Sequence, residues 1–184
     1  MSIDGSEPVT VQEAMEHCRV TEATEETYLA GLISAAREFI EGQTGLCLVA
    51  QTRMLVANAW ASGFNLSRTP AATVSSVKYL PDGGGAETTL ASANYHLDLY
   101  SQPSRIQFSD DFSEPDLEEW NDAIRITYTA APYSEISQAK AALLLLVHYL
   151  YDNRMPVNVG NIVNELPHHY KAFIDSLRIG GFVA

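Results

Sequence analysis

The sequence predicts an α+β fold: a small helical bundle of two long helices plus short N- and C-terminal helices, carrying a central antiparallel β-rich insertion. Three observations predict it. Apolar residues recur at helical spacing over residues 22–44, the pattern changes to short alternating runs over residues 48–129, and the helical period returns after Pro132. With 184 residues the chain is long enough to bury a core. It is read as a single domain over residues 1–184, with the β-rich insertion at 48–130.

The elements follow in order. Residues 9–19, "VTVQEAMEHCR", read as a short helix. The next helix is clearer: Leu29, Leu32, Ile33, Ala36, Phe39 and Ile40 form an apolar face, Glu25 and Glu26 suit the positive end of the helix dipole, and Gly45 offers a stop. Within the insertion, "VSSVKYL" leads through the turn signal "PDGGG" into "ETTL". "YHLDLY" places Tyr95, Leu97 and Leu99 on one face; "RIQF" does the same with Ile106 and Phe108, and "AIRITYT" with Ile124, Ile126 and Tyr128. "SDDFSEPDLEEWND" reads as a long acidic loop. After Pro132, Ala139, Ala142, Leu143, Leu146 and Leu150 make one stripe, expected to pack on Leu32, Ile33, Ala36 and Ile40. Leu144, Leu145, Val147 and Tyr151 fill much of the remaining circumference. A helix apolar nearly all round must be covered nearly all round, by the strands or, more naturally, by a neighbouring subunit. A last short helix, "PHHYKAFIDSLR", follows Pro167, a residue suited to a first helical position.

Composition narrows the function. Twenty-three acidic against eleven basic side chains give a formal net charge of −12, so most of the surface repels a nucleic-acid backbone. The apolar run in "AALLLLVHYLYDNR" ends at Asp152 and Arg154, short of the roughly twenty residues a bilayer requires. The first residues, "MSIDGSEP", lack the basic and apolar regions of a secretory signal. A soluble protein made in the cytoplasm is expected, with Cys18 and Cys47 as free structural thiols.

Catalytic and cofactor motifs are missing: there is no phosphate loop, dinucleotide fingerprint, HExxH, GxSxG or paired CxxC. His148 with Asp152, four residues apart on one helix face, and His168 with Asp175 are conceivable metal-ligand pairs, of which spacing alone permits the first, but a helix-end histidine bonded to its neighbour explains each better. Asp110, Asp111, Glu118 and Glu119 fit solvated loop charges better than an acid/base pair. No catalytic, cofactor-binding or metal-ligating residue is therefore assigned.

Four segments in order, spanning roughly residues 9–179, resemble the tailed-phage head–tail connector, or adaptor, family. They are a helix ending in Glu-x-x-Thr-Gly (Glu41, Thr44, Gly45), a β insertion, an Ala- and Leu-rich helix closing on Tyr-x-Asn-Arg (Tyr151, Asn153, Arg154), and a short helix after Leu-Pro (Leu166, Pro167) ending near Arg178. The chain departs at Ala131-Pro132-Tyr133, where relatives usually place glycine before the aromatic.

The resemblance implies a structural virion protein without catalysis or cofactor, forming a ring, usually twelve-fold, beneath the portal protein. Such a ring extends the DNA channel without specific DNA binding, touches no membrane, and offers the tail, or a stopper or tail-completion protein, a surface to bind. Prophages and gene-transfer agents use similar rings. Another neck protein, a stopper or tail-completion subunit, is the alternative, and a small metal-binding hydrolase a more distant one. Under this resemblance Leu144, Leu145, His148, Tyr151 and Arg154 are the expected subunit-interface residues. Arg178, Ile179, Phe182 and Val183, around a Gly-Gly hinge, are the expected portal-binding tail.

Overall fold

The computed structural model describes residues 2–3, 5–119, 122–134, 136–153 and 168–180, with the backbone alone given for 2–3, 136 and 168–169. The chain forms two units: a helical one of residues 6–48 and 133–184, and a strand-rich one of residues 1–5 and 49–132.

Thr10 caps the first helix of the helical unit. Its hydroxyl accepts the Glu13 amide while the Glu13 carboxylate accepts the Thr10 amide, so two otherwise unpaired donors at the start of helix α1 (Val11–Cys18) are satisfied reciprocally. A short 3₁₀ turn, Ala23–Glu25, then leads into α2 (Glu26–Thr44), so the helix expected from residue 22 tightens at its first turn. Gly45 ends α2 with φ of 78°, a left-handed conformation that a Cβ disfavours. α3 (Ile136–Asp152) and α4 (His168–Leu177) complete the unit; Pro167 lies outside the described residues.

One core holds these helices. Leu29, Ile33, Ala36 and Ile40 of α2 are buried in the same cluster as Ala139, Ala142, Leu143, Leu146 and Val147 of α3, with Leu32 and Leu150 half-buried against it. The α2–α3 pairing expected from the two stripes is thus present. Met15 of α1 and Tyr170, Ile174 and Leu177 of α4 close over the rest.

The strand unit contains two antiparallel sheets. The larger has the order β1 (Ser2–Ile3), β2 (Gln51–Ala57), β8 (Ile124–Ala130), β4 (Ala71–Tyr79), β5 (Thr88–Thr89). The smaller has the order β3 (Gly63–Asn65), β7 (Arg105–Phe108), β6 (Tyr95–Asp98). β8 shows why alternation identifies a half-buried strand: Ile124, Ile126, Tyr128 and Ala130 are buried, and the residues between them are not. Ile124 and Ile126 pack with Val77, Leu90 and Ile106, and Leu55, Phe64, Tyr95 and Phe108 border this core. The "PDGGG" turn forms as expected, with positive φ at Gly83 and Gly84, although β5 beyond it keeps only two residues.

Three details depart from the sequence reading. Leu99 was expected to share a face with Tyr95 and Leu97, but β6 ends at Asp98 and Leu99 stands exposed in the following turn. The acidic loop carries an anchor that the sequence reading did not select: Trp60 donates its indole N–H to the Pro115 carbonyl at 2.9 Å and packs edge-on against Phe112. Strand β1 is short and carries no periodicity from which to infer it.

No helix among the described residues is long and apolar enough to cross a membrane.

Candidate ring-interface surfaces

The helical unit encloses a buried charge network on α2. The Arg37 side chain is 1% exposed; its Nε donates to Glu7 at 2.8 Å, and one terminal nitrogen donates to Glu41, equally buried, at 3.1 Å. Glu7 also accepts the Ser34 hydroxyl at 2.8 Å, and the second oxygen of Glu41 accepts the Leu48 amide at 2.8 Å. Burial works against the charge on Arg37, but Glu7, Glu41 and the nearby Glu38 outweigh it and raise its pKa above the ordinary value.

The same geometry explains the Glu-x-x-Thr-Gly pattern. Glu41 ties the chain leaving α2 back onto the helix. The Thr44 hydroxyl donates to the Ile40 carbonyl and accepts the Leu46 amide, and the Gly45 amide donates to the Glu41 carbonyl. All three residues build one helix terminus, with no reacting group among them. Sequence reading did not single out Arg37. Its signal was present, since Arg37 lies four residues after Ile33 and four before Glu41, on the edge of the apolar stripe.

The expected interface residues on α3 divide by burial. Leu145 is 42% exposed and is the one large apolar residue of α3 in the exposed class among the described residues. Leu144 and Tyr151 pack partly on the subunit's own core, and the Tyr151 ring lies 6.2 Å from that of Tyr28. His148 meets the His17 ring edge-on at 5.7 Å, and its Nε2 is 3.4 Å from the Asp152 carboxylate. His17 of α1 and Tyr28 of α2 therefore supply part of the cover on this side of α3. Arg154 lies outside the described residues.

Of the expected tail, Arg178 reaches Asp175 at 3.5 Å. Ile179 is buried in the helical core, its amide donating to the Thr44 carbonyl at 3.1 Å. Phe182 and Val183 lie outside the described residues.

The chemistry available is sparse. No group of three or more His, Cys, Asp or Glu side chains that could hold a metal occurs among the described residues. Burial, then the charge of Asp152, pushes the Cys18 thiol up, away from the reactive thiolate. The side chains of His168 and His169 are outside the described set, so the His168–Asp175 pairing falls there too. Asp110, Asp111 and Glu119 are exposed, while Glu118 accepts the Gly84 amide.

The strand unit displays apolar side chains that the sequence reading did not select. Met54 and Val56 point from the same face of β2, and Leu99 and Tyr100 project from the β6–β7 turn. Asp98 shapes that turn by accepting the amides of Tyr100 and Ser101 and the Ser101 hydroxyl. Those bonds hold its carboxyl below the usual value, the hydroxyl contributing most.

Comparison with solved structures places this geometry. A chain from the neck of an empty gene-transfer-agent particle, computed with C6 symmetry, aligns over 100% of this chain and 98% of its own, with TM-score 0.74 and 21% identity. The fold is shared. A chain from the virion of a native gene-transfer-agent particle aligns over 100% and 95% of the two chains, with TM-score 0.72 and 21% identity. One from the neck of a native particle computed with C12 symmetry aligns over 100% and 98%, with TM-score 0.68 and 23% identity. No protein-family model and no curated protein sequence matches the chain.

Proposed function

We propose that this protein is a structural subunit of a virion neck: a head–tail connector that assembles into a ring beneath the portal, extends the DNA channel, and presents a surface to a stopper or tail-completion protein. The observation that carries the reading is the likeness in fold to neck chains over the full length of both partners, 100% and 98%, so the strand insertion as well as the helices is matched. The C6 and C12 symmetries of the neck particles support a cyclic assembly of copies. The motif order read from the sequence points to the same family. The Arg37–Glu41 network and the Gly45 terminus suit a scaffold whose helices must hold one geometry under load. The acid excess gives a channel wall that a duplex slides past rather than grips.

Sedimentation across a concentration range, with and without a portal protein, tests this. The expected result is a subunit at low concentration that becomes a ring at high concentration or on the portal. A monomer at every concentration that also fails to bind the portal would sink the reading. In this scheme Leu145 is the α3 residue most available to a neighbouring copy, and Phe182 and Val183 belong to the portal-directed tail. Deletion of residues 180–184 should then leave the melting temperature unchanged and abolish portal binding; a lowered melting temperature would assign the tail to the subunit's own core.

A further inference from the structure

The turn between β4 and β5 reads Pro81-Asp82-Gly83-Gly84-Gly85, and Asp82–Gly83 is one of two Asp-Gly pairs in the chain, the other being Asp4–Gly5. A backbone amide can attack the side-chain carboxyl of the aspartate before it, because both groups belong to one short stretch of chain and their closure gives a five-membered ring. Three conditions favour the reaction: an amide held close to the carboxyl carbon, no side chain to screen that amide, and water to open the ring.

The turn meets all three. The Gly83 amide donates to Asp82 Oδ1 at 2.8 Å, so the carboxyl carbon stands one bond behind the contact. Gly83 has φ of 85°, and nothing lies within 4 Å of the place a Cβ would take. Residues 82–89 are all exposed, which brings water to the site. The same turn is fastened to the acidic loop. The Gly84 amide donates to the Glu118 carboxylate at 2.6 Å, the Asp82 amide to the Asp116 carbonyl at 3.1 Å, and the Glu118 amide to the Leu80 carbonyl at 3.0 Å, while Pro81 and Leu117 form a β-bridge.

We propose that Asp82 is a self-modification site: it isomerises to isoaspartate through attack by the Gly83 amide, and the product loosens the acidic loop from the β4–β5 turn. The Gly83 nitrogen forms a bond to Asp82 Cγ, and its proton and the hydroxyl of the protonated carboxyl leave together as one water. A second water opens the succinimide. Opening at the former side-chain carbonyl restores Asp82. Opening at the other carbonyl leaves the backbone running through Cβ and Cγ, with the former backbone carbonyl as a free carboxylate. Charge is conserved and no oxidant or reductant is consumed. The product inserts one more atom, about 1.5 Å of chain, between Asp82 and Gly83, which displaces the Gly84 amide from Glu118.

The test keeps the full chain in mildly acidic buffer at body temperature for weeks, folded and, in parallel, unfolded in guanidinium chloride. Tryptic digestion places Asp82 in the peptide of residues 79–105 and Asp4 in that of residues 1–19, and fragmentation separates Asp82 from Asp98. Isoaspartate, read by an isoaspartyl methyltransferase, is expected at residue 82 of the folded chain at a rate at least equal to that of the unfolded chain. Slower formation in the folded chain would show that the native turn withholds the amide, and would overturn the proposal. Asp82→Glu should remove the signal from the peptide of residues 79–105, because the longer side chain closes a larger ring far more slowly; a signal that persists there would also overturn it. In the converted wild-type sample the Gly84 amide resonance should shift, and an unchanged resonance would refute the loosening of the acidic loop.

Discussion

Replacing Glu41 with alanine should be among the most damaging single changes in the helical unit. The substitution removes the partner of one Arg37 terminal nitrogen and the acceptor of the Leu48 amide, and the guanidinium it leaves is 1% exposed. Deleting one member of a buried ion pair costs about 3–5 kcal/mol, because the remaining charge stays desolvated. Glu7 still holds the Arg37 Nε at 2.8 Å, which places the expected loss near the lower end, about 3 kcal/mol. For a chain of this size that is about 6–12 °C in melting temperature. Far-ultraviolet circular dichroism against urea and against heat reads it. Glu38 supplies the control: it approaches the same guanidinium at 3.5 Å but is 63% exposed, so Glu38→Ala should change stability by less than about 0.5 kcal/mol. The double replacement Arg37→Met with Glu41→Leu should recover part of the loss, since it removes the buried guanidinium but leaves the Leu48 amide without its acceptor and Glu7 without its cation. A loss below about 1 kcal/mol for Glu41→Ala, or a double variant no better than the single, would refute the account of the network.

Leu146→Ala removes a buried α3 side chain from the α2–α3 core and should cost about 2–5 kcal/mol in denaturant unfolding; a change below about 0.5 kcal/mol would remove Leu146 from the core. Gly45→Ala forces a Cβ into φ of 78° and should cost about 1–2 kcal/mol by the same measurement. The Asp98 turn should respond to acid. Its carboxyl is held below the ordinary 3.8, so the turn's contribution is complete above that unfolded value and is lost as pH falls through the lower folded one. The Tyr100 and Ser101 amide resonances should titrate with a midpoint below 3.8, and a midpoint at or above it would contradict the turn geometry.

The helices were legible because their signals are local and repeat. The stripe from Leu29 to Ile40 and the glycine at 45 required only the helical period and the rule that left-handed backbone favours glycine. The alternation in β8 was equally open, since one buried face leaves every second residue apolar. Leu99 misled because alternation continues one residue past the strand, and only the three bonds to Asp98 reveal where pairing stops. The Arg37 network was hidden for another reason. A charged residue on an apolar stripe reads as a surface residue until its partners are known, and Glu7 is thirty residues away in the chain. The exposed pair on β2 left no mark in the sequence either, because Met54 and Val56 look like ordinary strand residues until the fold shows which face of β2 is uncovered.

The Tyr133 amide donates to the Cys47 carbonyl at 2.8 Å, so the points at which the chain departs from the helical unit and returns to it are pinned together. A segment anchored in this way behaves like a cartridge. The entropy of closing a loop grows only with the logarithm of its length, so each doubling of the inserted segment costs about 0.6 kcal/mol. The strand module can therefore be lengthened or shortened at small entropic cost while the residues that close the helical core stay as they are.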